Sequence, residues 1–236
     1  MYSFQSRVRY SEVDSEGRLS IYGVLNYLQD CSTFQSEALG IGLAYLKKQY
    51  MAWVLNYWQV DILRYPDMGE EIEIGTIPYD IKGFMGYRNF FIRTMEGEML
   101  AKANSIWTLI DTRSIRPVRV TQEMVDGYVI GQRLDMEYLD RKIKVTGKAS
   151  AQLPPLTVKR HNIDTNQHVN NAQYVLIAMD YIPEETKIKR LRAEYKSSAR
   201  LGDQLYPVVT SGEGWEHVAL CNQEDGIYAT VLFDKG

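Results

Sequence analysis

Val8-Arg9-Tyr10-Ser11-Glu12-Val13-Asp14-Ser15 can be laid over Val158-Lys159-Arg160-His161-Asn162-Ile163-Asp164-Thr165 at a constant offset of 150. The match continues downstream, where Leu19 meets Val169, Leu25 meets Val175 and Asp30 meets Asp180. After a shift in offset it resumes, with Asp61 on Glu194, Gly69-Glu70 on Gly202-Asp203 and Leu100-Ala101 on Tyr228-Ala229. Single coincidences of this kind are cheap, but a shared order along both halves marks an internal repeat. We read two copies of one unit, residues 1–110 and 155–236, joined by a linker at 111–154.

Each copy has the same expected order of elements. A short strand ends in the shared Asp, and a helix follows. In copy one Ile21, Val24, Leu25, Leu28 and Cys31 fall on one apolar helical face. Ser20 is its expected N-cap. In copy two Asn170 or Asn171 caps a helix carrying Ala172, Val175, Leu176 and Met179, which stops before Pro183. About four strands come next. Residues 53–62 are rich in aromatic and β-branched side chains, and Glu71-Ile72-Glu73-Ile74-Gly75 alternates as a half-buried strand does. Residues 87–94 and 100–110 flank a turn at Glu96-Gly97-Glu98. Their counterparts are 188–197, 204–211, 216–222 and 227–233, the last two joined by a turn at Glu224-Asp225-Gly226. The expected fold is therefore α+β: an antiparallel sheet with one long helix on one face, made twice. In the linker, 121–128 reads as a short surface helix and 149–155 as a loose connection.

Composition narrows the class of protein. With 45% hydrophobic and 24% charged residues in 236, the chain can build a core and is not disordered. A net charge of −3 argues against a general nucleic-acid binder. Cys31 and Cys221 are too few for a disulfide scaffold or a cysteine metal cluster, and point to a reducing compartment. No apolar run approaches the roughly 20 residues of a membrane helix, and the first residues lack the apolar stretch of a signal peptide. The expectation is a complete cytoplasmic protein. The 17 Tyr, 6 Phe and 4 Trp suit a strand-rich chain, and an apolar ligand tunnel would give the same bias.

Of three histidines, His161 and His168 fall in the stretch 160–171, the densest run of polar functional groups in the chain. That stretch lies where a strand passes into a helix, a place with free backbone N–H groups and a positive dipole end. Taken one at a time, Asp164, Asn166 and Asn170 read as turn and cap residues. Copy one offers a comparison. Its Asp14-Ser15-Glu16-Gly17-Arg18-Leu19-Ser20 keeps the Asp and a cap but has neither Asn nor His at the matching positions. The asymmetry points to one chemical site per chain, in copy two. His161 and His168 have no partner cluster of Cys or His, so a metal site is disfavoured. There is no Gly-x-Ser-x-Gly elbow and no phosphate-cradling glycine loop. The remaining groups suit carbonyl polarisation and water activation without a cofactor.

Asp164-Thr165-Asn166-Gln167-His168-Val169-Asn170-Asn171, followed by Tyr174, resembles the signature of acyl-acyl-carrier-protein thioesterases, the plant chloroplast enzymes and their bacterial relatives. Val8-Arg9-Tyr10-Ser11-Glu12-Val13-Asp14, Leu25-Asn26-Tyr27-Leu28-Gln29-Asp30, Trp107 ahead of Asp111, and Glu194-Tyr195-Lys196 are similar to other parts of that family. The resemblance covers essentially the whole chain. It implies two tandem hotdog units, each a long helix wrapped by an antiparallel sheet, with the acyl chain bound by the first and catalysis in the second. The implied activity is hydrolysis of the thioester between a fatty acyl chain and the phosphopantetheine of acyl carrier protein. Carried over by motif, Asp164, Asn166 and His168 are the catalytic residues. Asn166 and His168 polarise the carbonyl, and Asp164 fixes Asn166 or steadies the turn.

The chain departs from the family in one place. Where the plant enzymes continue Glu-Tyr-Arg-Arg-Glu-Cys, this sequence has Glu194-Tyr195-Lys196-Ser197-Ser198-Ala199, so a cysteine nucleophile there is excluded. Along an extended strand Glu194 and Ser198 face one side. Glu194 acting through water, Ser198 holding the water, and His161 stay open as readings. An acidic carrier protein implies a basic docking surface, and Lys187, Lys189, Arg190, Arg192, Lys196, Arg200, Arg141, Lys142 and Lys144 are the candidates. An acyl-coenzyme A thioesterase, a hydratase of similar fold and a non-catalytic acyl- or carrier-binding module are the rival readings. The chain is expected to be a monomer or a homodimer, with no nucleic-acid or membrane partner.

Overall fold

A computed structural model describes residues 1–147 and 153–236. The chain divides into two compact units, Met1–Asn56 with Val60–Tyr138, and Tyr57–Gln59 with Leu139–Gly236. Residues 111–138 thus lie with the first unit. Most of the expected loose connection at 149–155 falls outside the described residues.

In the first unit the predicted apolar face closes as α1 (Ile21–Ala38). Ile21, Val24, Leu25, Leu28 and Cys31 are all at most 2% exposed, each large side chain contributing on the order of 1.5–3 kcal/mol by leaving water. Ser20 caps the helix, its hydroxyl accepting the Gly23 N–H at 3.1 Å. The sheet runs in the order β1-β3-β4-β5-β2, with β1 (Tyr2–Arg7), β2 (Met51–Ile62), β3 (Glu71–Lys82), β4 (Met85–Thr94) and β5 (Met99–Asp111). The two-residue β6 (Arg116–Pro117) pairs with β5. Alternation in β3 buries Ile72 and Ile74 completely. Two short helices, α2 (Leu43–Lys48) and α3 (Gln122–Gly127), complete the unit. The helix expected at 121–128 is not merely superficial, because Met124 is fully buried among Leu46, Leu109 and Val120.

The second unit repeats the plan. It contains β7 (Leu156–Thr157), α4 (Asn171–Met179), β8 (Ile188–Tyr195), β9 (Gln204–Gly212), β10 (Trp215–Cys221) and β11 (Ile227–Lys235). The strand order is β8-β11-β10-β9-β7, and every neighbouring pair with a resolved register is antiparallel. Asn170, rather than Asn171, is the N-cap of α4, its side chain accepting the Ala172 N–H at 2.9 Å.

Two expectations are corrected. The opening strand of each copy does not run to the shared Asp. It stops at Arg7 in copy one and at Thr157 in copy two, and a 3-10 turn intervenes, Tyr10–Glu12 or Arg160–Asn162. Strand β8 also stops short of Ser198. The Lys196 and Ser197 N–H groups both donate to the Tyr228 carbonyl, at 2.9 and 3.3 Å, and this doubling ends the ladder.

Both units show the same device in the strand next to the sheet edge. β3 pairs with β1 as far as Thr76, and Pro78 follows two residues later, its carbonyl accepting the Gly131 N–H at 2.8 Å. β9 pairs with β7 as far as Leu205, and Pro207 follows two residues later, its carbonyl facing the Leu153 N–H at 3.5 Å.

Candidate active site

The shared Asp builds the same turn twice. In copy two one oxygen of Asp164 accepts the backbone N–H of Asn166 at 2.8 Å and of His168 at 3.3 Å, and the Asp164 N–H donates to the His168 carbonyl at 2.8 Å. In copy one Asp14 accepts the N–H of Glu16 at 2.9 Å and of Arg18 at 3.0 Å, and its own N–H donates to the Arg18 carbonyl at 2.7 Å. The turn needs a left-handed residue at its fourth position. Gly17 supplies it with φ 76°, and Gln167 adopts φ 64° despite its side chain. The turn delivers the chain to the capped start of α1 or α4.

What the two turns present is different. In copy two Asn166 is exposed and His168 half-buried, both beside the start of α4. An Asn amide and an imidazole are hydrogen-bond donors, and the helix dipole places positive potential behind them. Such a constellation can hold and polarise a carbonyl oxygen. In copy one the equivalent positions hold Glu16 and Arg18, which form an ion pair with each other.

The neighbouring loop reinforces the contrast. The Leu19 N–H donates to the Pro66 carbonyl at 2.8 Å, and at the equivalent point the Val169 N–H donates to the Ala199 carbonyl at 2.9 Å. Pro66 and Ala199 are therefore counterparts, and so are Tyr65 and Ser198. Tyr65 packs against its turn: burial and the Asp14 carboxylate push its hydroxyl pKa well up, with Arg18 opposing. Copy two has the small, exposed Ser198 there. The Ser198 loop is pinned by Tyr174, whose hydroxyl accepts the Ala199 N–H at 2.8 Å. Burial pushes the Tyr174 pKa up to about 12, so the phenol stays neutral. This strut is invisible to spacing alone. Its only sequence signal is the Tyr at the fourth position after the cap.

The other candidates are placed as follows. Glu194 is 7% exposed on β8, opposite Thr230 of β11, and accepts the Ile143 N–H at 3.3 Å. The next residue, Tyr195, donates to the Asn171 carbonyl at 3.0 Å. Alternation along the strand thus turns Glu194 to the sheet face away from α4. Because β8 ends at Tyr195, Glu194 and Ser198 do not share a strand face, which corrects the reading from alternation. His161 is exposed in the 3-10 turn before the site. His217, on β10, is buried against Thr230. Of the basic residues, Lys187, Lys189, Lys196, Arg200, Arg141, Lys142 and Lys144 are exposed. Arg192 is half-buried, donating to the Tyr57 hydroxyl at 3.0 Å and to the Asp140 carbonyl. Among the described residues no three His, Cys, Asp or Glu side chains gather as a metal site requires.

The helix-and-sheet unit made twice defines a tandem hotdog protein. The family model for the acyl-ACP thioesterase N-terminal domain matches residues 1–128, and that for the C-terminal domain matches 146–229. The chain belongs to the acyl-ACP thioesterase family. It is 27% identical over 241 residues to a chloroplastic acyl-[acyl-carrier-protein] hydrolase of Cuphea viscosissima, covering 93% of this chain and 58% of that protein. The chain thus spans somewhat over half the length of such curated relatives. Its fold matches an acyl-ACP thioesterase from Bacteroides thetaiotaomicron at a TM-score of 0.89, with 24% identity, over 99% of this chain and 97% of that one. It also matches the 12:0-ACP thioesterase from Umbellularia californica at 0.83, with 22% identity, over 99% and 96%. No helix among the described residues is long and apolar enough to cross a membrane.

Proposed function

We propose that this chain hydrolyses the thioester of fatty acyl-acyl carrier protein, releasing free fatty acid and the carrier with its thiol. The observation that carries the reading is the pair of turns. Asp14 and Asp164 hold the same backbone, yet only copy two presents Asn166 and His168, with a small, exposed Ser198 on the neighbouring loop. Family membership supplies the reaction class, and the Cuphea and Umbellularia relatives are named for acyl carrier protein substrates.

In this reading the Asn166 amide and His168 imidazole donate to the thioester oxygen, and the start of α4 stabilises the negative charge that develops there. Water attacks, a tetrahedral intermediate collapses, and the carrier thiolate leaves. Asp164 steadies the turn through backbone N–H groups. Ser198 holds the attacking water; Glu194, turned to the other sheet face, acts at most through intermediaries. The first unit, whose own turn is closed, binds the acyl chain. The exposed lysines and arginines of 187–200 and 141–144 meet the acidic carrier. The protein acts in the cytoplasm, as a monomer or homodimer.

The test is thiol release from acyl carrier protein loaded with acyl chains of graded length, for wild type and His168→Ala. Release by wild type with at least a hundredfold loss in the variant is expected. Binding without release from any substrate would favour a non-catalytic module, and release from acyl-coenzyme A alone would favour the coenzyme A reading.

A further inference from the structure

Three loops meet at one end of the first unit. The Gly83 and Phe84 carbonyls of the β3–β4 turn accept the N–H groups of Val120 and Leu109, at 2.9 and 2.8 Å. The Tyr50 carbonyl, just before β2, accepts the Thr112 N–H at 2.8 Å. The Arg113 guanidinium lies over the Tyr50 ring, 4.4 Å from its centroid. Leu109 and Thr112 are three residues apart where β5 ends, a span of about 10 Å, so the loops form one surface. Leu46, Leu109, Val120 and Met124 pack together and anchor it.

Each loop displays one large apolar side chain. Tyr50 is 52%, Phe84 45% and Ile115 67% exposed. Tyr50 and Ile115 do so from a left-handed backbone, with φ 54° and 55°, which a β-branched residue adopts only at a cost in energy. Gly would sit there without that cost, and at Ile115 burial does not offset it. An apolar side chain held out under strain points to a contact that the chain alone does not make. The matching turn of copy two is Glu213-Gly214, with an acid and no apolar side chain, so duplication alone does not produce this surface.

Cations surround the three side chains. Segments 43–50, 80–84 and 111–119 carry six Lys and Arg against two Asp, in a chain of net charge −3. The two acids are taken up locally, Asp80 by Lys82 at 2.6 Å and Asp111 by Arg113 at 2.8 Å. On the adjoining α3, Glu123 accepts the Tyr45 hydroxyl at 3.0 Å and Asp126 accepts the Gln122 amide at 2.7 Å. Lys47, Lys48, Arg116 and Arg119 are exposed and pair with no acid among the described residues.

We propose that this end of the first unit docks on an anionic lipid surface. Tyr50, Phe84 and Ile115 enter the headgroup boundary, and the cations around them meet lipid phosphates. Separate projecting side chains suit a layer into which each can sink, and each cation near an anionic leaflet strengthens binding about fivefold. An acidic protein would match the cations and leave the apolar side chains without a partner. The expectation of no membrane partner rests on the lack of a long apolar run, and a surface gathered from three loops leaves no such run in the sequence. The docking does not depend on the hydrolase reading.

The test is flotation of the purified chain, without substrate, on vesicles of phosphatidylcholine alone and of phosphatidylcholine mixed with phosphatidylglycerol. Wild type is expected to float with the mixed vesicles at about 0.1 M salt, to leave them at about 1 M, and not to bind phosphatidylcholine. Phe84→Ser with Ile115→Asn removes two apolar side chains while suiting the left-handed backbone at 115. Lys47→Glu with Arg116→Glu reverses two cations. Each pair should weaken binding to the mixed vesicles about tenfold or more, and circular dichroism melts check that both variants fold. No binding of wild type to the mixed vesicles, or full binding retained by either folded variant, overturns the proposal. So does weaker binding of acyl carrier protein by these variants when wild type does not float, which would give this end to an acidic protein. Thiol release from a soluble acyl thioester is followed in parallel, so failure to dock and failure to hydrolyse are read separately.

Discussion

The Ala199 carbonyl accepts the Val169 N–H at 2.9 Å, which ties the loop carrying Ser198 to the turn carrying His168. Pro66 and Leu19 make the same bond in copy one, where Tyr65 fills the space. Ser198→Tyr should therefore close the second site as the first is closed. The expected outcome is at least a tenfold loss of kcat/KM on acyl carrier protein substrates with the melting temperature kept within a few degrees. Full activity in Ser198→Tyr would show that the open position plays no part.

The two aspartates separate stability from chemistry. Asp14→Ala and Asp164→Ala each remove a carboxylate that accepts two backbone N–H groups. Each should lower stability by about 1–2 kcal/mol. Only Asp164→Ala should also lower turnover by tenfold or more. Urea denaturation and initial rates on the same preparations check the pair, and equal activity losses at both positions would contradict the assignment of chemistry to copy two.

Acid sensitivity has a named source. Burial, reinforced by the charge of Lys196, depresses the His217 pKa from 6.5 to about 4. Between those values the unfolded chain binds the proton and the folded chain does not. The stability this imidazole contributes is thus fully present above pH 6.5 and is lost as the pH falls toward 4, on the order of 3 kcal/mol in all. His217→Gln should flatten the dependence of urea midpoint on pH between 6.5 and 4. A slope as steep as that of wild type would assign the acid sensitivity to other groups.

Carrier docking should respond to salt. Lys187, Lys189 and Arg200 are exposed, so their attraction for an acidic partner is screened as the Debye length shrinks from about 10 Å at 0.1 M to about 3 Å at 1 M salt. KM for the acyl carrier protein substrate should rise several-fold over that range, while KM for the matching pantetheine thioester changes little. Lys187→Glu with Lys189→Glu should reproduce the rise at low salt.

Much of this was legible in the residues. The offset of 150 placed the turn, the caps and both long helices, because a duplicated unit repeats its hydrogen-bonding residues as well as its apolar ones. The 3.6-residue spacing from Ile21 to Cys31 and the alternation from Glu71 to Gly75 needed no structure. Spacing failed where one backbone bond overrides a pattern. The doubled acceptance by the Tyr228 carbonyl ends β8 and breaks the alternation linking Glu194 to Ser198. It failed also for α2, whose six residues are too few to show a period.

The prolines at the two sheet edges bear on how the protein behaves when crowded. A residue's N–H and C=O point to the same side of an antiparallel strand. Since the Pro78 and Pro207 carbonyls face residues outside the sheet, their missing N–H groups are missing from the outer row as well. An incoming strand would meet a gap in the donors just where each strand's own neighbour ends, which discourages edge-to-edge association there. Pro207→Val, which restores a donor and adds a β-branched side chain, should aggregate more readily than wild type in concentrated solution.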